Sequence, residues 1–157
     1  RGNGWIAVTL TEILTLLPKE NPHWGEELEL FQSFMQGILG CQDPTGMWHQ
    51  VLNRPDSYLE TSCTAMFLLS IARGINHGWL DAESYLPCIK KAWTALLQHS
   101  VDAVGDVYGV CLGSGCAKDA EYYKQLPAKK NDDHGTGIVM MAAAEIMKLK
   151  GDFSAGF

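Results

Sequence analysis

Apolar residues recur with helical spacing in five stretches of the chain. Ile6, Leu10, Ile13, Leu14 and Leu17 predict an amphipathic helix from about Gly4 to Leu17, stopped by Pro18. Leu28, Leu30, Phe31, Phe34, Met35 and Leu39 mark a second helix from about His23, with Gly40 as its terminator. Asp43-Pro44-Thr45-Gly46 is a turn, since Pro presets φ and Gly supplies a positive one. It leads into a short extended segment, Met47 to Leu52. A third helix spans about Ser62 to Ile75; its Ala65, Met66, Leu68, Leu69 and Ala72 lie on more than one side, which predicts burial all round. Asp81 is placed to cap a fourth, from about Ala82 to His99, with Leu86, Ile89, Trp93, Leu96 and Leu97 facing the core. Val101 to Val110 reads as a hairpin around Gly105, and Leu112 to Cys116 as loop. The last helix, about Gly137 to Leu149, is rich in Ala and Met, and Met140, Met141 and Met147 are expected to pack.

Helices that are apolar almost throughout alternate with helices that carry a charged face. Such alternation predicts an inner and an outer layer built from helical hairpins. Five helices do not close a ring. An isolated half of one would leave apolar sides of its first and last helices uncovered.

The first helix start has an echo. Arg1-Gly2-Asn3-Gly4 recurs as His134-Gly135-Thr136-Gly137, and at the same offset Glu12-Ile13 recurs as Glu145-Ile146. A weaker third copy begins at Thr61-Ser62-Cys63-Thr64. This alignment puts Arg1, Thr61 and His134 in equivalent places.

Composition narrows the function classes. Of 157 residues, 46% are hydrophobic and 19% charged, as in an ordinary globular protein, and the net charge is −6. No basic cluster exceeds Lys90-Lys91 or Lys129-Lys130, so nucleic acid is not an expected partner. No apolar run reaches the roughly 20 residues that span a bilayer. The five cysteines form an odd set without a Cys-x-x-Cys and read as free thiols, which suits a cytoplasmic location. Neither a metal nor a cofactor is indicated. The chain opens without Met, inside a motif, and is expected to be a piece of a longer polypeptide.

Arg1-Gly2-Asn3-Gly4-Trp5, the run Pro55 to Phe67 with its Glu60-Thr61-Ser62-Cys63-Thr64, and Asn131-Asp132-Asp133-His134-Gly135 resemble the unsaturated rhamnogalacturonyl hydrolases of glycoside hydrolase family 105. These are relatives of the unsaturated glucuronyl hydrolases of family 88. Val107 to Cys111 and Gly113 to Cys116 are similar to the same family, so the match runs the length of the chain. The resemblance implies an all-α (α/α)6 barrel with short β-hairpins in its loops. Residues 1–157 would form one domain fragment, its C-terminal half, with the N-terminal half as the missing partner. It also implies hydration of the C4=C5 double bond of an unsaturated uronic acid on pectin-derived oligosaccharides. The family's general acid and base is an aspartate upstream of Arg1, so no catalytic residue is expected in this chain.

By the same resemblance Arg1 is the pocket arginine and Trp5 the aromatic wall beside the sugar. Both suit the chemistry. A guanidinium fork pairs with a carboxylate or vicinal hydroxyls, and a sugar face packs on an indole. A helix N-terminus already carries partial positive charge, so an arginine there favours an anionic ligand. Glu60 and Thr61 read either as substrate contacts or as a plain cap. His134 reads as a substrate contact or as a histidine bonded to the Asp132-Asp133 pair, and Trp48 as a residue of the mouth. Asp132 and Asp133 are not read as a catalytic pair, because adjacent side chains diverge. The other reading of the chain is a non-catalytic α/α-repeat carbohydrate-binding or scaffold module.

Overall fold

A computed structural model describes residues 1–149. Helix α1 (Gly2–Leu16) ends where Leu17, the residue before Pro18, turns extended at φ −72° and ψ 124°. The Leu17 N–H still reaches Ile13 O at 2.8 Å, closing the last turn. Helix α2 (Trp24–Leu39) returns beside α1 and buries only Phe31, Met35 and Ile38. Between α2 and α3 (Thr61–Asn76) the chain makes a single antiparallel bridge, His49 with Leu59.

Helix α3 is the axis of the molecule. It packs on α1, on α4 (Ala82–Ser100) and on a final helix, and 13 of its 16 residues are buried. That is the all-round burial its apolar pattern predicts. Asp81 caps α4, accepting from Ser84 N–H at 2.8 Å. Beyond α4 the proposed hairpin is reduced to one bridge, Val101 with Val107. Strand β1 (Val110–Cys111) instead pairs antiparallel with the distant β2 (Ala128–Lys129), and a short helix α5 (Ala120–Lys124) lies between them. Helix α6 (Asp133–Ile146) starts four residues earlier than its apolar pattern, capped by Asp132.

The caps revise the repeat. Arg1, Glu60 and Asp132 occupy the same position ahead of α1, α3 and α6, so His134 lies inside α6 and is not the counterpart of Arg1. Counting from the caps, Gly4 corresponds to Gly135, and packing agrees. A Cβ on Gly4 would lie 2.5 Å from Met66 Sδ, and one on Gly135 would lie 2.2 Å from Val110 Cγ2. Gly2 and Gly137 face open space. Sequence similarity aligned the wrong glycines because Gly-x-Gly matches itself at more than one register.

Apolar side chains stand exposed on two helices. On α1 these include Trp5 and Leu16, and on and just beyond α6 they are Met140, Met141 and Met147. The expectation that the methionines pack is therefore not met within residues 1–149. The uncovered sides are the ones expected of an open array.

Candidate functional site

A cavity of about 600 Å³ opens where the N-termini of α1 and α3 meet two loops. Arg1 and Asn3 line it from α1, Gln50 and Asn53 from the connection between α2 and α3, and Ser114 and Cys116 from the segment after β1. Tyr123 of α5 completes the wall. No acidic side chain lines it among the described residues.

Arg1 sets the character of this cavity. A cap residue ordinarily accepts hydrogen bonds from the first free N–H groups, which a guanidinium does not do. Arg1 makes no side-chain cap bond. Its guanidinium turns instead across the cavity edge and donates to the carbonyl oxygens of Cys111 and Leu112, the latter at 2.5 Å. Both acceptors are neutral, and among the described residues the guanidinium forms no ion pair.

The start of α3 is stitched to the segment that holds those carbonyls. Glu60 is fully buried and caps α3, accepting from the N–H groups of Ser62 at 3.1 Å and Cys63 at 2.6 Å. It also accepts from Cys111 N–H at 2.9 Å. Thr61, equally buried, donates its hydroxyl to Tyr108 O at 2.6 Å and accepts from Ser100 Oγ at 2.8 Å. Its N–H donates to Gly109 O at 3.0 Å. Glu60 and Thr61 thus take the cap reading: both are fully buried, with their polar atoms bonded inside the protein. Around them, burial, then Cys111 and Glu60, push the Tyr58 hydroxyl far above its ordinary range. Burial, with Glu60 adding to it, does the same to the Cys63 thiol. Gln50 donates its amide to Cys111 Sγ at 3.0 Å, while its Oε1 is buried without a hydrogen bond.

Trp48 is likewise buried and does not line the cavity. It is wholly enclosed, donates its indole N–H to Ile38 O at 2.8 Å, and stands edge-on to Phe67 with ring centroids 5.2 Å apart. An aromatic residue in a short loop segment reads as a mouth residue in sequence. Here the loop folds inward and the ring becomes core.

Trp5 and His134 share a second recess, of about 530 Å³, between α1 and α6, together with Glu12, Asp133 and Met141. Trp5 follows Arg1 by one helical turn but does not line the Arg1 cavity. His134 Nδ1 lies 2.7 Å from Asp132 Oδ1, which also accepts the His134 N–H. These bonds to His134, side chain first and backbone second, hold the Asp132 carboxyl below its usual range. The structure therefore brings Arg1 to one recess, Trp5 and His134 to its neighbour, and the other three residues to the core. Gln50, Asn53, Cys116 and Tyr123 were missed. Only the glycines around Ser114 and the Tyr122-Tyr123 pair hint at that wall in sequence.

Among the described residues no group of three His, Cys, Asp or Glu side chains is arranged to hold a metal ion. None of their helices is long and apolar enough to cross a membrane.

Helices stacked around α3, strands confined to the connections, and a polar cavity at helix N-termini make this a segment of the (α/α)6-barrel class. Residues 1–150 match the family model of Glycosyl Hydrolase Family 88, and the chain belongs to that family. It is 31% identical over 151 residues to the unsaturated rhamnogalacturonyl hydrolase YesR of Bacillus subtilis (strain 168), covering 96% of this chain and 41% of that protein. To an unsaturated 3S-rhamnoglycuronyl hydrolase of Formosa agariphila it is 33% identical over 154 residues, covering 96% of this chain and 38% of the other. A solved structure from Klebsiella pneumoniae, described as a possible member of the GH105 family, superposes with a TM-score of 0.86 at 26% identity. That match covers 94% of this chain and 39% of that one. The chain thus spans about two fifths of the length of these relatives.

Proposed function

We propose that this chain supplies the substrate-binding walls of a hydrolase that removes an unsaturated uronic acid from pectin-derived, rhamnogalacturonan-type oligosaccharides. The observation that carries this reading is the Arg1 cavity: a guanidinium bonded, among the described residues, to two carbonyl oxygens, in a recess that none of their acidic side chains lines. A uronate carboxylate supplies the missing counter-charge, and Asn3 and Asn53 offer amide groups for sugar hydroxyls. Trp5 and His134 in the neighbouring recess extend this surface, the indole toward a sugar face and the imidazole toward a hydroxyl.

The reaction is addition of water across C4=C5. A general acid protonates C4, the same group as base directs water to C5, and the resulting hemiketal opens to release the sugar. Among the described residues the cavity lining holds no carboxylate to do this. The reading assigns that step to an aspartate on the part of the family fold ahead of Arg1, in the N-terminal half of an (α/α)6 barrel. The same lining also suits a module that binds uronates without catalysis.

Two measurements on the chain separate these outcomes. Calorimetry with an unsaturated galacturonyl–rhamnose disaccharide and with its methyl ester should show preference for the acid. The ultraviolet absorbance of the double bond should persist. Equal affinity for acid and ester would end the Arg1 reading, and bleaching at a full enzymatic rate would place the acid and base on this chain. Bleaching restored by adding the N-terminal half would support the hydrolase over the binding module.

A further inference from the structure

Glu60 makes one bond more than a helix cap requires. Its Oε2 accepts from Cys63 N–H and its Oε1 from Ser62 N–H, with the Ser62 hydroxyl at 2.8 and 2.9 Å from the two oxygens. These bonds satisfy the first turn of α3. The remaining donor is the N–H of Cys111 in β1, far along the chain. The residue whose N–H is held by Glu60 is the one whose carbonyl, with that of Leu112, holds Arg1. Around the same point Thr61 fixes Tyr108 and Gly109, so the backbone from Tyr108 to Leu112 is pinned to α3.

A second observation separates Glu60 from an ordinary cap. Asp132 caps α6 from the equivalent position and bonds to His134, two residues on in its own helix. Glu60 has one methylene more than an aspartate. That length lets one carboxylate serve α3 and β1 together. A fully buried charge is costly unless every lone pair is used, and here the bond to β1 takes part in that satisfaction.

We propose that Glu60 is a positioning residue for Arg1: it fixes Cys111 so that two carbonyl oxygens converge on the guanidinium and aim it into the cavity. The inference rests on reading Arg1 as the group that receives the uronate carboxylate. Glu60 touches no substrate and acts only through Cys111 and Leu112.

Two variants test it. Glu60→Asp keeps the charge and a good cap but is too short to reach Cys111 N–H as well. Glu60→Gln keeps the length but must turn its NH2 toward one of the backbone N–H groups. The first readout needs no ligand: nitrogen-15 spectra of arginine-labelled protein, where Arg1 is one of three arginines with Arg54 and Arg73. In the parent protein the Arg1 Nη–H groups should give resolved signals, and in Glu60→Asp these should collapse into the averaged signal of a freely rotating guanidinium, while Glu60→Gln should lose them only if its NH2 faces Cys111 N–H. The second readout is affinity for the unsaturated disaccharide against its methyl ester. Preference for the acid should fall about tenfold in Glu60→Asp. Adding that change to Arg1→Met should cost nothing further, because the group being positioned is gone.

Unchanged Arg1 signals in Glu60→Asp, with only a lowered Tm, would overturn the proposal and leave Glu60 as a cap. If the parent protein itself has no preference for the acid, the reading of Arg1 fails. The ligand-free spectra still decide whether Glu60 holds the guanidinium.

Discussion

Arg1 and Glu60 stand at equivalent positions ahead of α1 and α3, carry opposite charges, and meet through one residue. Cys111 gives its N–H to Glu60 and its carbonyl to Arg1. At the third equivalent position Asp132 is again a carboxylate that caps its helix. Two of the three positions are thus filled by the residue type that the helix start favours, and the third by one it disfavours. Arg1 is the exception, and it is the residue at the cavity.

Replacing Arg1 by Met should weaken binding of the unsaturated acid by roughly 10- to 100-fold, the equivalent of about 1.5–3 kcal/mol for hydrogen bonds to a charged group. Affinity for the methyl ester should change little. Calorimetry with both ligands checks this, and an equal loss for both would mean that the arginine shapes the cavity without reading charge.

The revised register of the repeat is tested by two glycines. Gly135→Ala places a methyl 2.2 Å from Val110 Cγ2 and should destabilise by about 1–3 kcal/mol. Gly137→Ala meets nothing within 4 Å inside α6 and should stabilise by about 0.5–1 kcal/mol. Thermal melts decide it: if both substitutions have the same sign, the register drawn from the caps is wrong.

Trp48→Phe should lower stability by about 2–3 kcal/mol, since it empties part of a buried site and removes the indole hydrogen bond to the Ile38 carbonyl. The ratio of acid to ester affinity should stay at its parental value. A changed ratio at unchanged stability would return Trp48 to the mouth.

Asp43 gives the fold a defined acid limit. Its carboxyl is held down to about 2 from 3.8, first by the Thr45 N–H; burial opposes this, and the Thr45 hydroxyl and His49 add to the lowering. Because the folded value lies below the unfolded one, the stabilisation is complete above about pH 4. It fades as pH falls from there through about 2. Denaturant melts in that window should show the parent protein losing stability more steeply than Asp43→Asn. Parallel curves would mean that the turn does not depend on the charge.

The exposed sides of α1 and α6 predict self-association of the chain. Leu16→Glu with Met140→Lys should shift light scattering toward monomer without lowering Tm, since both side chains stand mostly in solvent. A monomer before the change would remove this expectation.

Periodicity alone was enough for the α1 stop at Pro18, the Asp81 cap, the central burial of α3 and the open array of helices. Each of these depends on contacts within about one helical turn or on a single φ restriction, and such information is local to the sequence. The pairing of Cys111 with Ala128 was not legible, nor was the inward fold of the Trp48 loop. Both depend on which distant segment arrives at a surface, and no residue spacing encodes that. The site divided in the same way. The sequence alone marked Arg1, Trp5 and His134 as polar or aromatic groups at helix starts. Tertiary structure gave Arg1 its own cavity, moved the other two to the recess beside it, and turned Glu60 and Thr61 inward. The reason is hydrogen-bond satisfaction: a buried helix start must fill its free N–H groups, and once β1 lies against α3 the Glu60 carboxylate is the acceptor within reach.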